Sequence, residues 1–155
     1  MKGCFFTGHR NVKITESLSN RLSITLKELI NDGVTNFYAG GAIGWDILCE
    51  KTVIKLKRKY PIKLHLLLPC PPCEQTKRLK DSEKNDFYKI LEAADSSEII
   101  SEEYTKDCMK KRNMRLAQSG KICLCYYNER RCRSGTAQTI RMAEKRGVNI
   151  INFFS

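Results

Sequence analysis

The stretch YAGGAIGWDILCE, which runs from Tyr38 to Glu50, decides the fold. Two adjacent glycines follow a short apolar run, and Asp46 stands beside the only tryptophan of the chain, where a helix is expected to begin. Glycine permits a positive φ and brings no Cβ against a ligand. A helix that begins after such a turn presents free N–H groups and the positive end of its dipole. The stretch therefore predicts a strand, a turn that can face an anion, and a helix.

Apolar strands and amphipathic helices alternate along the rest of the chain in the same way. Short apolar runs predict strands at residues 4–7, 36–39, 63–68, 98–100, 121–127 and 149–154. Helices are predicted at residues 15–32, 43–59, 74–94 (as one helix or a pair), 106–119 and 135–146. Leu18, Leu22, Leu26 and Leu29 share one face of the first helix, and Ile43, Ile47 and Ile54 lie on the inner side of the second. The pattern predicts an α/β fold: a Rossmann-like, doubly wound, mostly parallel sheet of about six strands with helices on both faces.

Length and composition narrow the class of protein. The 155 residues predict a single domain over residues 1–155, large enough to fold without disulfides. No apolar stretch approaches the ~20 residues that span a bilayer, and the N-terminus lacks the pattern of a secretory signal. We therefore expect a cytoplasmic protein with no membrane partner, in which most of the eight cysteines are reduced thiols. Paired helical faces also suggest a homodimer.

The net charge of +11 is concentrated near the C-terminus, because residues 105–155 contain 12 basic and 3 acidic side chains. A basic region of this kind attracts polyanions. Weak nucleic-acid binding through this third of the chain and a merely solvated basic surface both remain open. The sequence shows no alternation of aromatic and basic residues of the kind that stacks single strands.

Three loops at the ends of predicted strands carry the candidate binding residues. They are TGHR (7–10), GGAIGWD (40–46) and RSGTAQT (133–139). Ligands of parallel sheets bind beyond the carboxyl ends of the strands, where such loops converge. Glycines and helix N-termini form anion sites, and arginine forms bidentate contacts with phosphate. From this reasoning the candidate residues are His9, Arg10, Asp46, Arg133, Ser134 and Thr136.

The motifs FTGHR (6–10), GGAIGWD (40–46), KRN (111–113) and SGTAQT (134–139) together resemble the SLOG superfamily, which includes the DprA-like and LOG-like proteins. Within it, the chain is most similar to the small, single-domain YpsA-like branch, and the resemblance covers nearly the whole sequence. It implies a Rossmann-like fold with a pocket for a nucleotide or an NAD-derived molecule such as ADP-ribose. The ligand-facing positions that it implies are Thr7, Gly8, Arg10, Gly40, Gly41, Gly44, Asp46, Arg112, Asn113, Gly135 and Thr136.

The sequence departs from the motif that the enzymes of the superfamily carry. LOG-like phosphoribohydrolases carry a Pro-Gly-Gly-x-Gly-Thr-x-Glu-Glu motif, and this chain has Gln138 and Thr139 where the two glutamates would fall. Neither can handle a proton as a carboxylate does. The favoured function is therefore a nucleotide-binding protein, a ligand sensor that requires no cofactor. The alternatives are a nucleotide N-glycosidase, with Asp46 and Glu50 as candidate acids, and a DprA-like nucleic-acid-binding protein.

Several residues allow a structural or a functional interpretation. The CPPC motif (70–73) either starts a helix or forms a redox pair, and the former is favoured. Trp45 either stacks on a base or covers the sheet edge, and His9 either contacts a ligand or has a structural role. Arg112 is expected to face inward, where it contacts phosphate or pairs with Asp46. The cysteines and histidines lack the spacing of a zinc site, so no metal is expected.

Overall fold

A parallel six-stranded sheet forms the centre of the protein in a computed structural model, which describes residues 2–155. Met1, the first residue of the expected domain, lies outside the described residues. The strands are β1 (Lys2–Gly8), β2 (Val34–Ala39), β3 (Lys63–Leu68), β4 (Ser96–Ile99), β5 (Ile122–Tyr126) and β6 (Asn149–Asn152). The helices are α1 (Glu16–Asn31), α2 (Trp45–Leu56), α3 (Pro72–Gln75), α4 (Asp81–Ala93), α5 (Cys108–Ala117) and α6 (Gly135–Lys145).

The strands lie in the order β4-β3-β2-β1-β5-β6, and every neighbouring pair is parallel. The chain winds outward from β1 to β4, then crosses back and adds β5 and β6 on the other side of β1. The sequence-based prediction of a doubly wound α/β sheet is thereby confirmed. The winding direction reverses between β1 and β5, and in such sheets this reversal opens a crevice at the carboxyl ends of the two strands.

Helices cover both faces of the sheet. Because side chains alternate along a strand, Phe6 packs into the core beneath α1, α2 and α4, whereas Phe5 packs into the core beneath α5 and α6. The predicted α1 face is confirmed, since Leu18, Leu22, Leu26 and Leu29 are its buried residues. Trp45 is fully buried, and its Nε1 donates a hydrogen bond of 3.2 Å to the carbonyl oxygen of Leu124. Trp45 is therefore a core residue and is not available to stack on a ligand base.

The inner face of α2 differs from the prediction. Ile43 precedes the helix, and Ile47 and Ile54 are only partly buried. The buried positions are instead Trp45, Asp46, Cys49, Glu50, Val53 and Leu56. Four of these are apolar residues spaced by four, four and three positions, and the two acidic residues share their side of the helix. The prediction that the isoleucines form the inner face of α2 was wrong, because the buried side of this helix includes two carboxyl groups beside its apolar residues.

The remaining boundaries follow local signals. The Thr15 side chain accepts a hydrogen bond of 3.1 Å from the N–H of Leu18 and so caps α1, and Gly33 ends that helix with φ +100°. The predicted charged segment 74–94 forms the pair α3 and α4, and Pro71 and Pro72 start α3. Among residues 2–155, no helix combines the length and the apolar character that crossing a membrane requires.

Candidate functional site

Two adjoining cavities lie at the carboxyl ends of the strands. The cavity above β1 and β5, here the β5-side cavity, has a volume of about 480 Å³. The cavity above β2 and β3, here the β3-side cavity, has a volume of about 650 Å³. Both are lined by Arg10, Ala42, Ile43, Met109 and Arg112, so these residues form a shared wall of one divided cleft. The cleft lies at the place where the sheet topology predicts a ligand site.

Most of the predicted binding residues meet in this cleft, although they come from four separate segments of the chain. Those that line the β5-side cavity are Thr7, Gly8, His9, Arg10, Asp46, Arg112, Asn113, Ser134, Gly135 and Thr136. Gly41 lines the β3-side cavity. Gly40, Gly44 and Arg133 line neither cavity. Loops that are far apart in sequence therefore converge as predicted, and three of the predicted positions lie outside the cleft wall.

Gly40 and Gly44 allow other groups to approach the backbone closely. A Cβ on Gly40 would lie 2.4 Å from Nη1 of Arg112. A Cβ on Gly44 would lie 2.3 Å from the carbonyl oxygen of Arg10, and Gly44 also has a φ of +84°. These two glycines serve to pack the loop against its neighbours, which differs from the predicted contact with a ligand. Arg133 is exposed outside the cavity walls, whereas its neighbour Arg131 lines the β5-side cavity.

Two carboxylates hold the glycine loop between β2 and α2 in place. The N–H of Gly41 donates a hydrogen bond of 3.1 Å to Oε2 of Glu50. The N–H of Ala42 donates one of 3.3 Å to Oδ2 of Asp46. The sequence suggested that this loop presents free amides to an anion, and for these two N–H groups that prediction was wrong. Their hydrogen-bonding capacity is used inside the protein.

The two carboxylates lie one helical turn apart and are both buried, at 5 % exposure for Asp46 and 1 % for Glu50. Burial raises the pKa of Asp46 to about 6, against the opposing effect of the Arg112 guanidinium and the nearby N–H groups. Burial also raises the pKa of Glu50 well above its usual range, and the charge of Asp46 adds to that shift. Glu50 therefore retains its proton more readily than Asp46 does.

Asp46 has one oxygen that no described residue satisfies. Its Oδ2 accepts from Ala42, but its Oδ1 is buried and has no hydrogen bond of good geometry among residues 2–155, although the N–H of Gly40 lies close enough to the carboxylate to favour its ionised form. A buried acceptor without a partner is costly, and in native proteins it calls for an explanation such as a bound group. Gln75, in the wall of the β3-side cavity, has a buried Oε1 that also lacks a hydrogen-bond partner among the described residues.

Arg112 joins the loop to the two helices on the other face of the sheet. Its Nη1 donates a hydrogen bond of 2.7 Å to the carbonyl oxygen of Gly40, and its Nε donates one of 3.0 Å to Oδ1 of Asn113. Nδ2 of Asn113 in turn donates to Oε1 of Gln138, at 3.2 Å. The prediction that Arg112 faces inward is confirmed. Burial lowers the pKa of its guanidinium, and the charge of Asp46 counteracts this effect.

His9 connects three parts of the site. Its ring Nε2 accepts a hydrogen bond of 2.9 Å from the N–H of Asn128, which requires the neutral imidazole with its proton on Nδ1. Its backbone N–H donates to the carbonyl oxygen of Tyr126, and its carbonyl oxygen accepts from the N–H of Trp45, each at 3.2 Å. Burial and the charge of Arg131 lower the pKa of His9. These contacts give His9 a structural role, and because it also lines the β5-side cavity, its contact with a ligand stays a prediction.

The N-terminus of α6 opens into the β5-side cavity. The Ser134 side chain caps this helix by accepting a hydrogen bond of 3.1 Å from the N–H of Ala137. Gly135 and Thr136 form the first turn, where N–H groups have no acceptor within the helix. Arg131 lies at the same wall. This third loop, unlike the loop between β2 and α2, has backbone N–H groups without an acceptor inside the helix, and anion binding there stays a prediction.

Sequence reasoning missed several residues of the cleft wall. Arg131 and Asn11 belong to the predicted loops or adjoin them, but their side-chain directions depend on loop conformation that no local pattern encodes. Gln75 lines the β3-side cavity, and the sequence offered no signal for it beyond its place after the CPPC motif. Within that motif, Cys70 is buried and Cys73 is exposed. Among the described residues, no group of three or more His, Cys, Asp or Glu side chains is arranged to hold a metal ion.

Comparisons with known proteins agree with this geometry. Over 99 residues the chain is 28 % identical to the UPF0398 protein BH1768 of Halalkalibacterium halodurans, in a match that covers 64 % of this chain and 50 % of that protein. The chain thus spans about half the length of this curated relative. Its fold is similar to that of DNA processing protein A from Helicobacter pylori, which binds single-stranded DNA, with a TM-score of 0.67 at 17 % identity over 97 % of this chain and 64 % of that one.

The fold is also similar to that of TM1055, with a TM-score of 0.59 at 14 % identity over 97 % of this chain and 72 % of that one. At these levels of identity, both structures show a shared fold. The family assignment comes from a model of the YpsA group, described as the YspA SLOG family, which matches residues 4–153. The convergent loops, the sheet topology and this match over nearly the whole sequence agree: the chain belongs to the YpsA family of SLOG proteins.

Proposed function

We propose that this protein binds a nucleotide derivative of the ADP-ribose type in the divided cleft and acts as a ligand sensor. The observation that carries the proposal is Asp46, which lines the β5-side cavity and has a buried Oδ1 without a hydrogen-bond partner among residues 2–155. A ribose hydroxyl donates the hydrogen bond that this oxygen needs. Membership of a SLOG family and the cleft at the topological switch point support the same assignment.

The phosphates of the ligand bind at the N-terminus of α6. The free N–H groups of its first turn and the helix dipole favour negative charge at Gly135 and Thr136. Arg10 and Arg131 are exposed cations in the walls of the same cavity. Two guanidinium groups and a helix N-terminus together match the charge of a pyrophosphate.

The base of the ligand occupies the β3-side cavity. Nε2 of Gln75 donates a hydrogen bond of 3.2 Å to the carbonyl oxygen of Gly40, which leaves Oε1 as the acceptor without a partner. An exocyclic amino group, such as that of adenine, supplies a donor for Oε1. Tyr104 and Met109 provide aromatic and apolar surface in the same cavity. The shared wall at Arg112 then lies between the base and the phosphates.

Sensing is favoured over hydrolysis by the positions of the carboxyl groups. Glu50 lines neither cavity, and its carboxylate is occupied with the N–H of Gly41. Gln138 stands where a LOG-like motif would have a glutamate, and its Oε1 accepts from Asn113. Asp46 is therefore the one carboxyl group among the described residues of the β5-side cavity.

Isothermal titration with ADP-ribose, NAD, AMP and cyclic nucleotides tests the proposal. We expect binding of ADP-ribose, and we expect at least a tenfold loss of affinity in Asp46→Asn and in Arg131→Ala. Arg146→Ala is the matched control, because Arg146 is exposed at the opposite end of α6 and should leave affinity unchanged. Absence of binding across the panel, or equal losses in Arg131→Ala and Arg146→Ala, would contradict the proposal.

A nucleotide N-glycosidase is the second candidate, and the elevated pKa of Asp46, about 6, favours it. A carboxyl group with a pKa near the working pH can transfer a proton to or from a reacting group. Incubation with AMP and detection of free adenine by chromatography decides this point. Base release that disappears in Asp46→Asn and persists in Glu50→Gln would establish the activity, and no release from wild-type protein would exclude it for AMP.

A further inference from the structure

A second, strongly basic groove lies between α1 and α2, apart from the cleft. Its volume is about 480 Å³, and none of its residues lines either cavity of the cleft. Four lysines line it: Lys27 from α1, Lys51 and Lys55 from α2, and Lys59 from the turn that follows α2. No acidic residue is part of its walls. The proposed nucleotide site leaves this groove without a role.

The lysines stand in a regular row. Lys51, Lys55 and Lys59 recur at every fourth residue, and the N–H of Tyr60 still donates to the carbonyl oxygen of Leu56 at 3.0 Å, so the helical path continues past the end of α2. At a rise of 1.5 Å per residue, the row is about 12 Å long with a cation about every 6 Å. The facing wall holds the polar side chains of Ser19, Asn20 and Ser23 together with Lys27.

Three of these cations are not neutralised by the protein. Lys51 pairs with Asp86 of α4 at 3.2 Å, but Lys27, Lys55 and Lys59 have no carboxylate within ion-pairing distance among the described residues. All three are exposed. Tyr60 lines the same groove and is half-buried. The groove thus combines unpaired cations, neutral hydrogen-bonding groups and one aromatic ring.

We propose that the α1–α2 groove binds the sugar–phosphate backbone of a single-stranded nucleic acid, at a site distinct from the nucleotide cleft. Evenly repeated cations fit a polyanion that carries one charge on every unit. Ser19, Asn20 and Ser23 supply hydrogen bonds to phosphate and sugar oxygens, and Tyr60 offers a surface for a base. Tyr60 favours a single strand over a duplex, because only unpaired bases are free to stack on an aromatic side chain.

This site differs from the one that charge counting in the sequence favours. The C-terminal third holds the larger excess of basic residues. The lysine row, in contrast, belongs to a segment in which acidic and basic residues are mixed, and only the packing of α1 beside α2 assembles it. The proposal therefore depends on the positions of particular lysines and not on the net charge of the chain.

Fluorescence anisotropy with a labelled 20-nucleotide oligothymidylate tests the proposal on the full chain. The test variant is Lys27→Gln/Lys55→Gln/Lys59→Gln. The control is Lys89→Gln/Lys110→Gln/Lys145→Gln, which removes three exposed, unpaired lysines elsewhere and gives the same net charge. We expect at least a tenfold loss of affinity in the test variant at low salt, with less than a twofold change in the control.

Salt dependence supplies a second readout. For single strands the slope of log K against log salt concentration is about −0.7 per neutralised phosphate, so loss of three contacts should make the slope shallower by about 2. Replacement of the same three lysines by arginine should retain both the affinity and the slope. Arg10→Ala/Arg131→Ala, which alters the cleft, should leave oligonucleotide binding unchanged.

Five results would overturn the proposal, and the first four concern the oligonucleotide and the lysine variants. They are no binding of the oligonucleotide at low salt, equal losses in the test and control variants, equal affinity for a duplex of the same length, and displacement by a glutamate-rich peptide at lower concentration than by unlabelled oligonucleotide. Loss of binding in the cleft variant alone would place the strand in the cleft and would likewise overturn it. All three test lysines are exposed, so thermal unfolding should confirm that the variant retains its fold.

Discussion

Nη1 of Arg112 donates a hydrogen bond of 2.7 Å to the carbonyl oxygen of Gly40, a residue 72 positions earlier in the chain. This contact crosses the point where the sheet reverses its winding, and it ties α5 to the loop between β2 and α2. Both partners are buried, and Gln75 donates a second hydrogen bond to the same carbonyl oxygen. The divided shape of the cleft follows from this contact, because Arg112 forms part of the wall of both cavities.

Gly40→Ala should destabilise the protein by about 1–3 kcal/mol, because a Cβ there would lie 2.4 Å from Nη1 of Arg112, and the buried guanidinium would have to shift and give up its hydrogen bond to the Gly40 carbonyl oxygen. Urea unfolding measures the change. Gly135→Ala is the matched control, since its Cβ would meet no atom closer than 3.6 Å, and its stability should stay within about 0.5 kcal/mol of wild type. Equal losses in the two variants would contradict the role given to Gly40.

Asp46→Asn should stabilise the protein at pH 7.5 by about 1–3 kcal/mol. The folded-state pKa of Asp46, about 6, lies above its ordinary value of 3.8, so between these two pH values the folded state holds a proton that the unfolded state has lost. Stability of the wild type therefore falls as pH rises from about 4 to about 6, and the deficit persists at higher pH. Unfolding curves at pH 7.5 and pH 4 measure this, and the gain should vanish at pH 4.

The control for this prediction is Glu103→Gln, which removes a carboxyl group from an exposed position. It should leave stability unchanged at both pH values. A less stable Asp46→Asn protein at pH 7.5 would show that the Arg112 charge outweighs the burial of Asp46. Retention of a destabilising carboxylate in the cleft wall is expected when function needs the charge.

Affinity for ADP-ribose should rise several-fold between pH 5 and pH 7, because ionised Asp46 is the stronger hydrogen-bond acceptor and its pKa is about 6. ADP-ribose is the suitable ligand, since its pyrophosphate carries no terminal phosphate that titrates in this range. Titration calorimetry at several pH values measures the profile. The same profile in Asp46→Asn would assign the pH dependence to another group, of which His9 is the nearest candidate.

Alkylation of the native protein should modify two of the eight cysteines rapidly. Cys73 and Cys132 are exposed, whereas the other six thiols are buried. Mass spectrometry after brief treatment with iodoacetamide counts the adducts, and the same treatment in urea should give eight. Rapid modification of Cys70 in the native state would contradict the burial of the CPPC motif and would favour its interpretation as a redox pair.

The order of strands and helices was predictable because each element has a strong local signal. Apolar runs mark the strands, the leucine spacing marks α1, and Gly33 ends that helix with a positive φ. The convergence of the three loops was also predictable, since parallel strands bring their carboxyl ends to one edge. These inferences need only the chain direction and the alternation of elements.

The roles of individual loop residues were harder to predict. Sequence reasoning treated the glycine loop as a source of free amides, but Asp46 and Glu50 accept hydrogen bonds from two of them. It also named Arg133 as a candidate for phosphate contact, although Arg131 and not Arg133 lines the β5-side cavity. Hydrogen-bond partners and side-chain directions in loops depend on contacts between distant segments, such as that of His9 with Asn128, and no local pattern records them.

Helix α2 has a mechanical consequence for the molecule. Its first turn carries Asp46 into the cleft, and Lys51 and Lys55 farther along it line the α1–α2 groove. A helix of 12 residues is a stiff rod about 18 Å long, so its two ends move together. A tilt of a few degrees at the loop end therefore also displaces the lysine row. Helix α2 is in this sense a rigid connection between the rim of the sheet and the outer surface of the protein.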